Sequence, residues 1–170
     1  KALAQWVPWK AVPDYDKDMK RKPKPRKVPI SVSTGFGARP NDPSTWETFE
    51  AVEEFIQEWA GEEHTHVDGN GVEITGTVSE YPGFMFHEKD PYCGIDLDDC
   101  RDPDTGEVTS WAKEIIDHFN SYTEISQSGT GFHIIIKGTK PSGSRSRKGD
   151  IECYDRDRYF IFTGEVLHAI

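Results

Sequence analysis

Tyr92–Asp98, read as YCGIDLD, is the stretch that decides the fold. In a strand, alternate side chains leave on opposite faces, so Ile95 and Leu97 enter a core while Asp96 and Asp98 project together from the other side. Two like charges about 4 Å apart at an effective dielectric near 20 repel by roughly 4 kcal/mol, so the pair calls for a cation or for a proton on one acid. Hard oxygen donors of this kind suit Mg²⁺ or Mn²⁺. An acid-x-acid triplet is common, and a solvated strand end is its plain alternative. A calcium loop competes less well, because Cys100 and Arg101 stand where DxDxDG requires an acid and a glycine.

Outward from this strand, Gly83–His87 (GFMFH) reads as a second strand, joined by the turn Glu88–Pro91 and paired antiparallel with the first. Upstream, Trp46, Phe49, Val52, Ile56 and Trp59 recur at three and four, which predicts a helix capped by Asp42 or Ser44 and ended by Gly61. Ala4–Val12 is β-leaning and broken by Pro8, and Val28–Ser33 is expected to pair with it. Residues 62–80 are polar with short β-like pieces and receive no placement. Downstream, Trp111, Ile115, Ile116 and Phe119 predict a second amphipathic helix. Strands are expected at Tyr122–Ser126, Phe132–Lys137, Asp150–Tyr154 and Arg158–Thr163. The order predicts one α+β domain over residues 1–170, with a mainly antiparallel or mixed sheet, helices packed on one face, and the other face free for a substrate.

The formal net charge of −10 argues at first against a nucleic-acid partner. The distribution argues otherwise. Seven of the 20 basic residues lie in Lys17–Lys27 and five in Lys137–Lys148, leaving eight against 29 acidic residues elsewhere. Basic tracks set in an acidic surface are the pattern of a phosphate-binding protein or of a halophilic one, and two solvated loops are the bland reading. Mean hydropathy is −0.70 and no run approaches a membrane span, so a soluble, cytoplasmic protein without a membrane partner is expected. Cys93, Cys100 and Cys153 fit neither a disulfide framework nor a CxxC zinc site, which suits a reducing compartment. Zinc on His64, His66, Cys93 and Cys100 would need a long intervening loop that nothing fixes. The chain starts without methionine, and further sequence beyond both ends is expected, a helicase domain or partner beyond Ile170 being one candidate that the sequence itself does not decide.

Two further motifs carry chemistry. In Ser126–His133 (SQSGTGFH), Gly129 and Gly131 let backbone approach a bulky anion, and His133 at the start of a strand is placed to donate to a phosphate. The stretch lacks a Walker ending, and a hairpin turn with a half-buried histidine is the alternative. In Ile151–Tyr154 (IECY), Glu152 is an acid among apolar neighbours on an internal strand, so it needs a partner or a metal. Arg158 is its candidate partner or a triphosphate ligand, and structural Glu152–Arg158 or Asp155–Arg156 pairs are the alternative.

In this order the three pieces resemble the catalytic motifs of the archaeo-eukaryotic primase superfamily, most closely the phage- and plasmid-type primase-polymerases. The resemblance is carried by Gln5-Trp6, Lys27-Val28-Pro29, Ser121–Ser126, Ser128–His133 and Arg158–Gly164. It implies an RRM-like palm and template-directed nucleotide addition from dNTP or NTP on DNA template and primer. On it, Asp96, Asp98 and Glu152 are catalytic and hold two Mg²⁺ or Mn²⁺ ions, while Ser128, Gly129, Gly131, His133 and Arg158 bind the nucleotide. Lys24, Arg26 and Lys27 follow DNA phosphates. A replication-initiator DNA-binding module and a metal-dependent nuclease are the alternatives, although no lysine stands two positions after Glu152, as many nuclease sites would require.

Overall fold

A computed structural model describes residues 3–168 of the chain. It is a mixed α/β structure with two α-helices and mostly antiparallel sheets. The chain divides into two compact units, Lys1–Met85 and Phe86–Ile170.

In the first unit, β1 (Trp6–Val7) and β2 (Trp9–Val12) are separated at Pro8, which has no N–H to give to a ladder. β3 (Arg26–Pro29) pairs antiparallel with β2, in line with the sequence-based expectation, but it begins two residues early and takes in the end of the basic stretch. The helix is shorter than its periodicity implied. Asp42 caps a 3₁₀ turn at Pro43–Thr45, Trp46 lies outside with its Nε1 donating to Arg39 O at 2.8 Å, and α1 (Phe49–Trp59) is capped by Thr48, whose Oγ1 accepts from Ala51 N. Gly61, with φ at +85°, takes the left-handed turn that follows. Residues 62–80 prove to be a hairpin of β4 (Glu63–Val67) and β5 (Glu73–Val78), with the sheet ordered β3-β2-β5-β4. Its turn is closed by Asp68, whose carboxylate accepts from Asn70 N and Val72 N.

The expected pairing of 83–87 with 92–98 does not form. β6 (Gly83–Phe86) pairs with β1 instead, Trp6 opposite Phe84. All four β6 residues are buried.

The second unit is built on a six-stranded sheet. Its members are β7 (Tyr92–Leu97), β8 (Tyr122–Ile125), β9 (Phe132–Lys137), β10 (Arg147–Lys148), β11 (Ile151–Tyr154) and β13 (Val166–His168), in the order β10-β11-β7-β9-β8-β13. β12 (Arg158–Ile161) follows β11 in sequence, and α2 (Ser110–Phe119) connects β7 to β8. Ile95, Leu97, Phe132 and Ile134 share one face and pack against Ala112 and Ile116 of α2. That face is the core. The opposite face is not wholly free, because near Gly94 it is covered by Phe86 and Phe160, whose rings meet edge to face at 5.0 Å. A Cβ on Gly94 would stand 2.4 Å from Phe86 Cζ, so glycine is required there.

Candidate functional site

Strand register decides which side chains meet on the polar face. Arg147 lies directly opposite Glu152, Glu152 opposite Asp96, Asp96 opposite His133, and His133 opposite Glu124. Directly paired residues share a face, so these five side chains form one row across β10, β11, β7, β9 and β8. Three residues that the sequence singled out in three separate motifs, Asp96, His133 and Glu152, thus become neighbours. Two more, Arg147 and Glu124, join them from outside the sequence-based set.

Glu152 is buried, and its carboxylate is well supplied with donors. Arg147 Nη1 stands 2.8 Å from Oε1, Tyr154 Oη donates to Oε2 at 2.7 Å, and Arg158 Nη2 lies 3.5 Å from Oε2. Arg158 also packs its guanidinium over the Tyr154 ring at 4.9 Å. Burial and the Glu152 carboxylate together raise the Tyr154 phenol above its ordinary range. Asp98 sits just past β7, half-exposed, with Arg147 Nη2 at 3.7 Å. One guanidinium therefore stands between Asp98 and Glu152. The sequence-derived Glu152–Arg158 and Asp155–Arg156 pairs are both present, the latter at 3.2 Å.

His133 is buried, its ring stacked on Phe160 at 4.8 Å. Nδ1 meets Glu124 Oε1 at 3.4 Å and Nε2 faces Asp96 Oδ1 at 3.8 Å. Glu124 is completely buried and accepts in addition from Thr163 N, Gly164 N and Tyr122 Oη. The sequence signal for Glu124 was weaker than for Glu152, since its strand, YTEI, places it between Thr123 and Ile125 rather than between two apolar residues.

Ser128 lies exposed in the turn between β8 and β9, sharing a hydrogen bond with Thr130 Oγ1 at 2.8 Å. That turn is braced from the loop after β7. Cys100 N and Arg101 N both donate to Thr130 O at 2.9 Å, and Arg101 Nη1 donates to Gly129 O at 2.7 Å. Gly129 has φ at +74°, the left-handed region where glycine is at ease. Gly131 has a different reason. A Cβ there would stand 2.1 Å from Leu97 O, so its bareness serves the approach of β9 to β7. A cavity of about 350 Å³ borders the same loop, lined by Asp99–Asp102, Glu107, Val108 and Thr109, and none of the row residues lines it.

Lys24, Arg26 and Lys27 belong to the first unit and are exposed. Arg26 stands 3.9 Å from Asp14, and the Lys27 amine lies 5.6 Å over the Trp9 ring. His64 and His66 lie on β4, while Cys93 meets Cys153 Sγ at 3.3 Å and Cys100 Sγ donates to Leu97 O. Among the described residues no group of three or more His, Cys, Asp or Glu is gathered closely enough to hold a metal ion. For the acids of the row this means that the oxygen donors suited to Mg²⁺ or Mn²⁺ share one face without forming a single coordination sphere.

A six-stranded sheet with a packed face and a face carrying a charged row defines a mixed α/β protein whose chemistry is that of acids, arginines and a fixed imidazole. No family model matches the chain. A DNA primase-polymerase of the Nitratiruptor phage NrS-1 is 29% identical over 169 residues, which is 96% of this chain and 20% of the phage protein. The match supports a relationship to the primase-polymerases. The chain spans about a fifth of the length of that relative.

Proposed function

We propose that the chain is the catalytic domain of a DNA primase-polymerase, an enzyme of the archaeo-eukaryotic primase type with an RRM-like palm, transferring a nucleotidyl group from a (d)NTP to a 3′-hydroxyl on a DNA template. The observation that carries this reading is the register row Glu152–Asp96–His133, which unites two acids and a histidine from three separate motifs on one sheet face. The similarity to the phage primase-polymerase supports it along almost the whole chain.

On this reading the 3′-oxygen bonds to the α-phosphorus, the bond to the bridging oxygen breaks, and pyrophosphate leaves. Asp96, Asp98 and Glu152 are the residues that would hold Mg²⁺ or Mn²⁺, and bound divalent ions would supply charge neutralisation at the attacking and leaving oxygens. Arg147, which stands between Glu152 and Asp98, is the cation beside these acids and would counter charge there. His133 presents Nε2 to the triphosphate, and the exposed side of the Arg158 guanidinium is placed for a charge-assisted hydrogen bond to it. Ser128 and the Gly129 turn lead into β9, which carries His133, and would contact the same phosphates. Lys24, Arg26 and Lys27 follow the DNA backbone.

Incubation with primed template, labelled dNTP and Mn²⁺ tests the proposal, with Asp98→Asn as the comparison. Asp98 makes one long ion pair at a half-exposed position, so the variant should keep the parent's melting behaviour within about 0.5 kcal/mol. Extension should fall at least about a hundredfold. Retention of DNA without extension would favour an initiator module, and shortening a nuclease. Extension by Asp98→Asn at the parent's rate would remove that acid from the chemistry.

A further inference from the structure

Glu124 stands at the far end of the row, and the proposed chemistry does not use it directly. A fully buried carboxylate carries a desolvation cost of several kcal/mol unless its lone pairs are met. Here four donors meet them. Thr163 N at 3.1 Å and His133 Nδ1 at 3.4 Å approach Oε1, while Tyr122 Oη at 2.8 Å and Gly164 N at 3.1 Å approach Oε2. Two of the four are backbone groups on the segment after β12, so the carboxylate is pinned from behind. Burial and Glu124 itself hold the Tyr122 phenol well above its ordinary range, so it stays a donor.

Of the four donors only His133 reaches on into the site. Its ring plane is set by Phe160, stacked at 4.8 Å with 27° between planes, and its in-plane rotation by the Nδ1–Glu124 contact. The other nitrogen is thereby aimed. Nε2 lies 3.8 Å from Asp96 Oδ1, beyond hydrogen-bond reach, and so faces Asp96 without being spent on it. An imidazole held at one nitrogen by a carboxylate presents the other in a fixed direction, as in histidines oriented by a buried acid.

We propose that Glu124 is a positioning residue that clamps His133 through Nδ1 and thereby directs Nε2 at the triphosphate of the incoming nucleotide; the proposal rests on the nucleotidyl-transfer reading of the site. Glu124 touches neither substrate nor reacting atoms, and its effect passes entirely through His133.

The test joins a spectroscopic readout to a double-mutant cycle. In the parent, imidazole ¹⁵N shifts of His133 should show the proton on Nδ1. In Glu124→Gln the amide N–H₂ replaces an oxygen that met two donors, so the clamp should loosen and dNTP affinity fall about tenfold, with a rise in KM exceeding the fall in kcat. His133→Ala should lose as much by itself, and adding Glu124→Gln to it should change affinity less than about twofold. Tyr122→Phe, which removes a donor from Oε2 only, should leave the Nδ1 signal and dNTP affinity in place. Additive losses in the cycle, or a parent ring carrying its proton on Nε2 alone, would overturn the positioning role. The second readout needs no variant, so it decides even if Glu124→Gln does not fold. A parent chain that binds no dNTP would instead overturn the nucleotidyl-transfer reading.

Discussion

Lys10 is the largest side chain that the fold buries completely. Its amine donates to His64 O at 2.8 Å and Ile74 O at 2.6 Å, and desolvation lowers its pKa from 10.5 to about 8. The unfolded chain therefore holds more protons than the native one between about pH 8 and 10.5, and stability must rise with pH across that window. Relative to Lys10→Met, which has no such group, the parent should gain about 2–3 kcal/mol between pH 7.5 and 11, measured by denaturant melts. A flat difference would mean that the amine titrates normally. At this scale the sequence spoke clearly for the acids: Asp96, Asp98 and Glu152 were marked by their alternation with apolar neighbours. Lys10 was not, since a lysine between Trp9 and Ala11 carries no sign of burial until β4 and β5 fold over it.

At the scale of elements, local periodicity found both helices and β7, β8, β9, β11 and β12 within a few residues, because each has its own apolar stripe or alternation, while the short β10 and β13 went unplaced. Pairing was less visible. The 83–87 and 92–98 segments are adjacent in sequence and joined by a turn whose Asp90 carboxylate accepts from His87 N and Tyr92 N, yet β7 takes β9 and β11 as partners. The reason lies in residues that strand propensity does not weigh. Gly131 lets β9 close on Leu97 O, and Gly94 makes room for Phe86 and Phe160. Gly131→Ala should accordingly cost more than about 3 kcal/mol, because its clash is with backbone that cannot rotate away. The check is thermal melting alongside dNTP binding. A variant that folds as well as the parent and loses only nucleotide affinity would show that Gly131 serves the ligand instead.

For the whole molecule, a net charge of −10 repels nucleic acid except where cations are concentrated. DNA affinity should therefore fall steeply with salt, and replacing Lys24, Arg26 and Lys27 by Ala should lower the slope of log K against log salt by roughly 2 to 3, at about 0.7 to 0.9 for each phosphate no longer neutralised. The weakening should be uniform across template sequences. Filter retention over a salt series measures both. An unchanged slope would take this stretch out of the DNA path and leave the Lys137–Lys148 stretch as the candidate track.

By itself the sequence determined the α+β class, the two helices, the acids and the histidine, because periodicity and an acid between apolar residues are local signals. It also held the resemblance that pointed to primase-polymerases. Only the tertiary structure decided that Glu152, Asp96, His133 and Glu124 stand in one line with Arg147 at its end. Register is a relation between strands distant in sequence, set by which faces bury together and by where a glycine lets two backbones close. A shift of one residue in β9 would turn His133 into the core and Ile134 toward the acids, and no local pattern in FHIII says which of the two occurs.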